Sequence, residues 1–357
     1  MESLASSALS GGGATDGVPR APLGIATRAR RPRPLAGGRR KVLGSLDFAI
    51  LRECSGEGVA GLGFDPRRSP EVIAKRLGVS PATVRRRLTM WRARGFLLGF
   101  DVLPHPGLLG GRLAARTLDF PSPIAQERAI GSLSLIDGIV QIVRARTMLA
   151  VVYFVDSETQ AERRLAQLQG VDGSSWVGPE MVFPLPPCSH RMSRTDWRLV
   201  LALRRNPEAS VAELAEEVGQ STRTTSRRFD SLLDEGALIF DPIFEFSRFY
   251  QTLAVLVVSV EPRERCEEIK RQILPLHPET IPTWGPTSPD PNGKSTIAYL
   301  WVTAPTTAEL DELTARVAHI PGVSDVNLWY TQSTLPTRSW LNERIETVLR
   351  LSPTPSR

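Results

Sequence analysis

At 357 residues the chain is too long for one ordinary domain, and its 41% hydrophobic content is normal for a globular protein. No apolar run approaches the ~18 residues of a membrane span, and the Ser/Gly-rich N-terminus has no compact apolar segment, so we expect neither a membrane partner nor a secretory signal. Three widely spaced cysteines without a CxxC pair favour a reducing cytoplasm over a disulfide framework.

The net charge of +6 resides entirely in the first 41 residues, which hold eight basic and two acidic groups. Residues 42–357 carry 36 groups of each sign and are neutral overall, so only local charge can indicate a nucleic-acid partner. Residues 1–41 are also low in complexity and punctuated by Gly and Pro. We predict a disordered basic tail there, with a non-specific DNA-contacting arm as the alternative.

The remainder of the chain repeats itself. Residues 69–100 match residues 210–241 without a gap, with nine identities at caps, turn glycines and helix faces. In the first copy Ser69 begins a short helix, Gly78 ends it, and Ser80 begins a second helix. Two short helices joined by a tight turn, with a further helix before them, predict a helix-turn-helix in each copy.

A second duplicated pattern follows each helical unit. Alternating strand and helix signals give the order βαββαβ between 112 and 182 and again between 253 and 332, which is the ferredoxin-like arrangement. We therefore predict an α+β fold with two winged-type helix-turn-helix domains, each followed by a ferredoxin-like sandwich. The predicted segments are a tail (1–41), the first helix-turn-helix (42–104) and sandwich (105–185), a linker (186–193), the second helix-turn-helix (194–245) and sandwich (246–335), and a C-terminal helix and tail (336–357).

One motif carries a family resemblance. It reads Ile73-Ala-Lys-Arg-Leu-Gly-Val-Ser80-Pro-Ala-Thr-Val-Arg-Arg-Arg-Leu88, and Gly95-Phe-Leu-Leu-Gly99 then leads into the sandwich. With both modules present, residues 44–335 resemble the Lrp/AsnC (feast/famine) family of transcriptional regulators, twice over. Members usually carry one copy per chain and dimerise through their sandwiches. The resemblance therefore implies double-stranded DNA as a partner, an amino acid or other small effector at the sandwiches, and an intramolecular pseudo-dimer.

The two helix-turn-helix copies differ in charge. Residues 69–100 hold seven basic groups and one acidic group, whereas residues 210–241 hold three basic and seven acidic groups. Because DNA is a polyanion, we predict that the first copy binds it and that the second is a structural or dimerising relic or a weak second DNA contact. With one binding helix per chain, a palindromic site needs a homo-oligomer of at least two chains.

The predicted DNA contacts lie on the second helix of each helix-turn-helix. An arginine there can pair bidentately with guanine, and the helix N-terminus suits a phosphate. In the first copy the candidates are Ser80, Pro81, Ala82, Thr83, Arg85, Arg86 and Arg87. In the second copy they are Arg223, Thr224, Arg227 and Arg228.

Catalytic motifs are absent from the sequence. It contains no Gly-rich phosphate loop, no HExxH and no paired-Cys metal site. We therefore predict that the chain is not an enzyme and that it has no catalytic residue, metal or cofactor. One alternative is an enzyme like the siroheme decarboxylases, which resemble the same duplicated architecture and use basic residues against the carboxylates of a tetrapyrrole. The spans 136–155 and 281–301 offer only Arg144, Arg146 and Lys294 for that purpose. The other alternative is a small-ligand sensor that does not bind DNA.

Overall fold

A computed structural model describes residues 43–55, 69–183, 185, 188–245, 252–277, 280–281, 288–289, 294–337 and 339–351. The basic tail predicted for residues 1–41 lies outside these ranges. So do a Gly-rich insertion at 56–63, which lengthens the first copy, and residues 282–285 of the second predicted βαββαβ segment.

The first helical unit consists of α1 (Ser45–Ser55), α2 (Pro70–Leu77) and α3 (Pro81–Ala93). The hydroxyl of Ser69 accepts a hydrogen bond from the N–H of Val72 and so caps α2, and Ser80 caps α3 in the same way. Gly78 adopts the left-handed conformation (φ 66°) that ends α2 and turns the chain into α3. The unit is a helix-turn-helix, as predicted.

The second helical unit repeats this design with α6 (Arg194–Arg205), α7 (Val211–Val218) and α8 (Thr222–Asp234). Ser210 and Glu213 form a capping box at the start of α7, because each side chain accepts a hydrogen bond from the other residue's backbone N–H. Gly219, with φ 69°, makes the same left-handed turn as its counterpart in the first unit.

The two helical units share one sheet. The strands β1 (Leu97–Pro104) and β6 (Leu238–Phe244) follow α3 and α8, and they pair with each other in antiparallel orientation. Asp101 lies directly opposite Asp241 in this pairing. We call this two-stranded sheet the wing sheet. It joins the two copies as a pseudo-dimer within one chain.

The first sandwich has the βαββαβ order, and the described segments of the second follow the same order with one additional two-residue strand. The first contains β2 (Arg112–Asp119), α4 (Pro123–Leu133), β3 (Ile139–Ala145), β4 (Met148–Val155), α5 (Glu158–Gln169) and β5 (Ser175–Val182). The second contains β7 (Thr252–Val260), α9 (Cys266–Leu276), β8 (Thr280–Ile281), β9 (Ser288–Pro289), β10 (Thr296–Ala304), α10 (Thr307–Ala318) and β11 (Val323–Pro336). The predicted fold class is confirmed.

The strands of both sandwiches form one sheet of nine strands. Its order is β5-β2-β4-β3-β11-β7-β10-β8, and β9 pairs with β10. The junction is the antiparallel pairing of β11 with β3, in which residues 331–336 of one sandwich lie beside residues 141–145 of the other. With this pairing β11 extends past residue 332, where the predicted βαββαβ segment ends. At the far edge β9 lies against β5, so the sheet curls back on itself.

Among the residues that the structure describes, three hydrophobic cores hold the fold together. Two of them lie between the sheet and the helix pairs α4/α5 and α9/α10. The third is continuous through both helical units, the wing sheet and the concave face of the nine-stranded sheet. The C-terminal helix α11 (Ser339–Leu351) joins this third core through Leu341 and Ile345 and packs on α6.

Candidate nucleic-acid interface

The first turn of α3 is open to solvent. Ala82 and Ser80 are exposed, and Pro81 and Thr83 are half-buried. The Ser80 hydroxyl accepts from the backbone N–H of Thr83 at 3.1 Å and lies 2.9 Å from the Thr83 hydroxyl. These four predicted contacts therefore form one continuous surface at the positive end of the helix dipole, where an anion is favoured.

Arg85 and Arg86 extend that surface along the helix, and both are exposed. The guanidinium of Arg85 pairs with Glu71 of α2, and both side chains are more than half exposed. The pKa of Glu71 is lowered by its backbone N–H at the start of α2 and by Arg85. Solvent screens an exposed pair of this kind and leaves it weak, so a phosphate can displace Glu71 from Arg85.

Arg87 has a different environment from its two neighbours. Its guanidinium donates to Asp47 of α1 at 3.0 Å, and the Trp91 indole donates to the other carboxylate oxygen of Asp47 at 3.0 Å. Asp47 is completely buried, and the backbone N–H of Gly44 also donates to it. We infer that Arg87 fixes α3 onto α1 and is not oriented for a base contact.

The second copy contains the same ion pair. Arg228 of α8 donates to Asp196 of α6 at 3.0 Å, and the carboxylate of Asp196 is also the capping partner of Ser193. Aligning the first helices would have revealed this pair, since Asp47-Phe48 matches Asp196-Trp197. The insertion at 56–63 hides the match because it changes the offset between the copies.

Arg223, Thr224 and Arg227 lie together on the first half of α8. The acidic residues of the second half line the same surface groove, so the helix changes from positive to negative along its length. These acidic residues are Asp230, Asp234 and Glu235. A DNA backbone following this helix would meet attraction at one end and repulsion at the other.

Replacing Asp47 with alanine is expected to lower the free energy of unfolding by about 2–4 kcal/mol. The change removes the acceptor for the buried Trp91 indole and for Arg87 at the same time. Urea unfolding followed by tryptophan fluorescence measures the loss. Glu53→Ala, which removes a partly exposed pair with Arg76, is the control and should cost less than about 1 kcal/mol. Equal losses would show that the buried pair has no special role.

A polar cluster lies beneath the wing sheet. Arg204 of α6 is buried, forms an ion pair with Asp101 at 3.6 Å and donates to Asn342 of α11 at 2.6 Å. Gln141 of β3 donates to Asp241 at 2.7 Å. Burial raises the pKa of Asp241 to about 7, the carboxylate of Asp101 opposite adds to the rise, and the hydrogen bond from Gln141 opposes it. The cluster connects the wing sheet to the first sandwich and to α11.

Stability should depend on pH through Asp241. From its ordinary pKa of 3.8 up to about 7, this carboxyl holds a proton in the folded protein and has lost it in the unfolded chain. Its contribution to the free energy of unfolding therefore falls as pH rises through that window and is level above it. Asp241→Asn should gain stability relative to the wild type over the same range. Urea unfolding at several pH values tests this, and a difference that stays constant with pH would contradict it.

A family model for winged helix-turn-helix DNA-binding domains matches residues 192–238, which span α6, α7, α8 and the start of β6. No curated protein matches the chain in sequence. Similar solved structures include the siroheme decarboxylase NirDL in co-complex with an iron-uroporphyrin III analogue, at 12% identity and a TM-score of 0.47, covering 86% of this chain and 98% of that one. AsnC from E. coli matches at 18% identity and a TM-score of 0.28, covering 43% and 99%. A Neisseria meningitidis transcriptional regulator in complex with L-Met matches at 18% identity and a TM-score of 0.29, covering 41% of this chain and 90% of that one.

The fold and the family model together define the class. The protein carries a winged helix-turn-helix DNA-binding domain, the helical unit occurs twice, and each copy precedes a ferredoxin-like sandwich. This is the architecture that the Lrp/AsnC resemblance implied, and that prediction is confirmed. The matched segment is the second copy, so the family model recognises this copy although it is acidic.

The prediction that the chain is not an enzyme is wrong as a flat exclusion. A solved structure that matches over 86% of the chain is that of a siroheme decarboxylase, which is an enzyme. Within the described residues, no group of three or more His, Cys, Asp and Glu side chains is placed to hold a metal ion. Nor does any described helix combine the length and apolar character that a membrane crossing requires.

Proposed function

We propose that the protein is a sequence-specific, DNA-binding transcriptional regulator that reads DNA mainly through α3 and whose sandwiches bind a small effector. One observation carries this proposal. On the first recognition helix, Arg85 and Arg86 are exposed beside an open, capped N-terminus, while Arg87 is held by Asp47 and fixes the helix in place. A rigid helix that presents two cations beside its positive end suits the major groove.

The role of each residue follows from its position. The exposed N-terminus of α3, with Ser80, Pro81, Ala82 and Thr83, approaches the DNA first, and the positive end of its helix dipole favours a phosphate there. Arg85 and Arg86 then contact guanine edges or neighbouring phosphates. Sequence specificity then depends on Arg85 and Arg86, because Arg87 is held in the fold by its ion pair with Asp47.

The second recognition helix is proposed as a weaker contact. Arg223, Thr224 and Arg227 can approach one or two phosphates, whereas the acidic second half of α8 opposes a longer contact. Because the wing sheet relates two unlike helices within one chain, a single chain suits an asymmetric site. A palindromic operator would require a homo-oligomer of at least two chains, and such a regulator would work in the cytoplasm.

Selection of duplexes from a random DNA pool tests the proposal. We expect enrichment of a short motif by the wild-type chain at physiological salt, with retained enrichment by Arg223→Ala/Arg227→Ala. No enrichment at any salt concentration would overturn the proposal. The enzyme alternative has its own measurement: anaerobic addition of siroheme should produce a bound absorbance spectrum and a decarboxylated product only if that alternative is correct.

A further inference from the structure

The concave face of the nine-stranded sheet encloses a cavity of about 110 Å³. One wall comes from β2, β3, β4 and β5 of the first sandwich, and the other from β7, β10 and β11 of the second. The cavity therefore exists only because the two sandwiches are joined at β3 and β11. The interior of a closed barrel of about eight strands is just wide enough to be filled by side chains or to hold one small ligand.

The lining is apolar and partly aromatic. Trp301, Trp329 and Tyr299 form one side, and alanines at positions 115, 145 and 150 leave space on the other. Protein interiors are normally filled to crystal-like density, so small residues facing large aromatic ones across an unfilled space indicate room for a further group. None of the described lining residues carries a charge.

Thr117 supplies a polar atom at this surface. The residue is only 1% exposed, lines the cavity from β2, and its hydroxyl has no hydrogen-bond partner within the described structure. A buried hydroxyl is normally paired, and leaving it unpaired is unfavourable. A ligand with one donor or acceptor group would satisfy it.

We propose that this cavity binds a compact, uncharged and largely apolar molecule of about one aromatic ring, with one polar group that hydrogen-bonds to Thr117. The cavity volume is of the same order as the about 150 Å³ of an apolar cavity that binds benzene, and it is well below the about 300–1,000 Å³ of sites for drug-sized ligands. A tetrapyrrole with several carboxylates is too large and too highly charged for this site. A free amino acid would have to bury two charges without partners.

Gln141 connects the cavity to the wing sheet. It lines the cavity from β3, and its amide donates to Asp241 of β6 at 2.7 Å. A ligand that touches Gln141 therefore acts on a residue bonded to the strand that joins the two helical units. If the protein is the proposed DNA-binding regulator, the bound molecule is its effector, so the effector role rests on the proposed function. Binding of the molecule in the cavity does not depend on that function.

Fluorine NMR with two matched probes tests the site. We expect 4-fluorophenol and fluorobenzene to bind the full-length protein, with line broadening that saturates, and the charged analogues 4-fluorobenzoate and 4-fluorophenylalanine not to bind. Thr117→Val keeps the side-chain shape and removes the hydroxyl, so it should weaken 4-fluorophenol by about three- to tenfold and leave fluorobenzene unchanged. Ala150→Leu fills the cavity and should abolish binding of both probes, whereas Ala166→Leu on the exposed face of α5 should not.

The outcomes separate the two proposals. The cavity proposal is overturned if neither uncharged probe binds, or if the charged analogues bind as tightly as the uncharged probes. This holds whether or not the protein binds DNA. If Ala150→Leu does not fold, Thr117→Val still decides the question, because an equal effect on both probes contradicts the assigned contact. If the uncharged probes bind but no DNA motif is enriched, the ligand site stands and the proposed regulatory function fails.

Discussion

Arg85→Ala/Arg86→Ala is expected to weaken binding to the selected DNA by at least about 30-fold at physiological salt. Each arginine that contacts a guanine edge contributes about 1–3 kcal/mol, and both lie exposed on the recognition helix without a buried partner that would hold them away from DNA. The measurement is fluorescence anisotropy of a labelled duplex. If one arginine contacts phosphate instead, the slope of log affinity against log salt should also fall by about 0.9.

The matched control is Arg223→Ala/Arg227→Ala in the second copy. These arginines occupy a comparable stretch of α8, but acidic residues share their groove, so we expect a loss of less than about fivefold. Comparable losses from the two double variants would refute the asymmetric account. Unchanged affinity in Arg85→Ala/Arg86→Ala would remove α3 from the interface altogether.

Arg204→Met is expected to destabilise the fold by about 3–5 kcal/mol. Methionine preserves much of the side-chain volume but removes the cation next to Asp101, which is buried directly opposite Asp241 in the wing sheet. It also removes the hydrogen bond to Asn342, which connects α6 to α11. Urea unfolding at neutral pH measures the change through the midpoint and the slope.

A double-mutant cycle identifies the cause of that loss. Adding Asp101→Asn to Arg204→Met should recover part of the stability, because the carboxylate left without its cation is then neutral. The recovery should be larger at pH 8 than at pH 5, since burial and Asp101 together raise the pKa of Asp241 to about 7 and that group is neutral at the lower pH. Strictly additive losses at both pH values would show that the ion pair between Arg204 and Asp101 is not what stabilises the cluster.

Much of the fold was predictable because its signals are local. Ser69 and Ser80 cap helices with their own hydroxyls, and Gly78 takes a conformation that other residues rarely adopt. Each of these signals can be recognised from a few neighbouring positions in the sequence. The duplication supported the helix-turn-helix prediction further, because the same capping serines and turn glycines recur in the second copy at a fixed offset. The candidate DNA-binding surface followed from charge, which is also local.

The remaining features arise from contacts between distant segments. The pairing of β3 with β11 joins residues nearly 200 positions apart, and nothing in the alternation of either strand identifies its neighbour. The cavity and the unpaired hydroxyl of Thr117 exist only after that pairing forms. For the same reason three adjacent arginines looked equivalent in sequence, although Arg87 is held by Asp47, 40 residues away.

Function is harder to predict than fold because one scaffold supports more than one activity. The sequence contains no catalytic motif, but a fold alone does not exclude catalysis. Local charge on α3 favours DNA, and the uncharged lining of the cavity favours a small apolar ligand over a tetrapyrrole. These chemical features, more than the fold itself, support regulation.

The central claim is that one chain binds DNA asymmetrically, with α3 providing most of the contact. Methylation interference on the selected duplex tests it most directly, since methyl groups at guanine N7 block arginine contacts in the major groove. We predict that interfering guanines cluster in one half of the site and that this cluster disappears in Arg85→Ala/Arg86→Ala. Two equal clusters related by a dyad, or a pattern unaffected by those substitutions, would contradict the account.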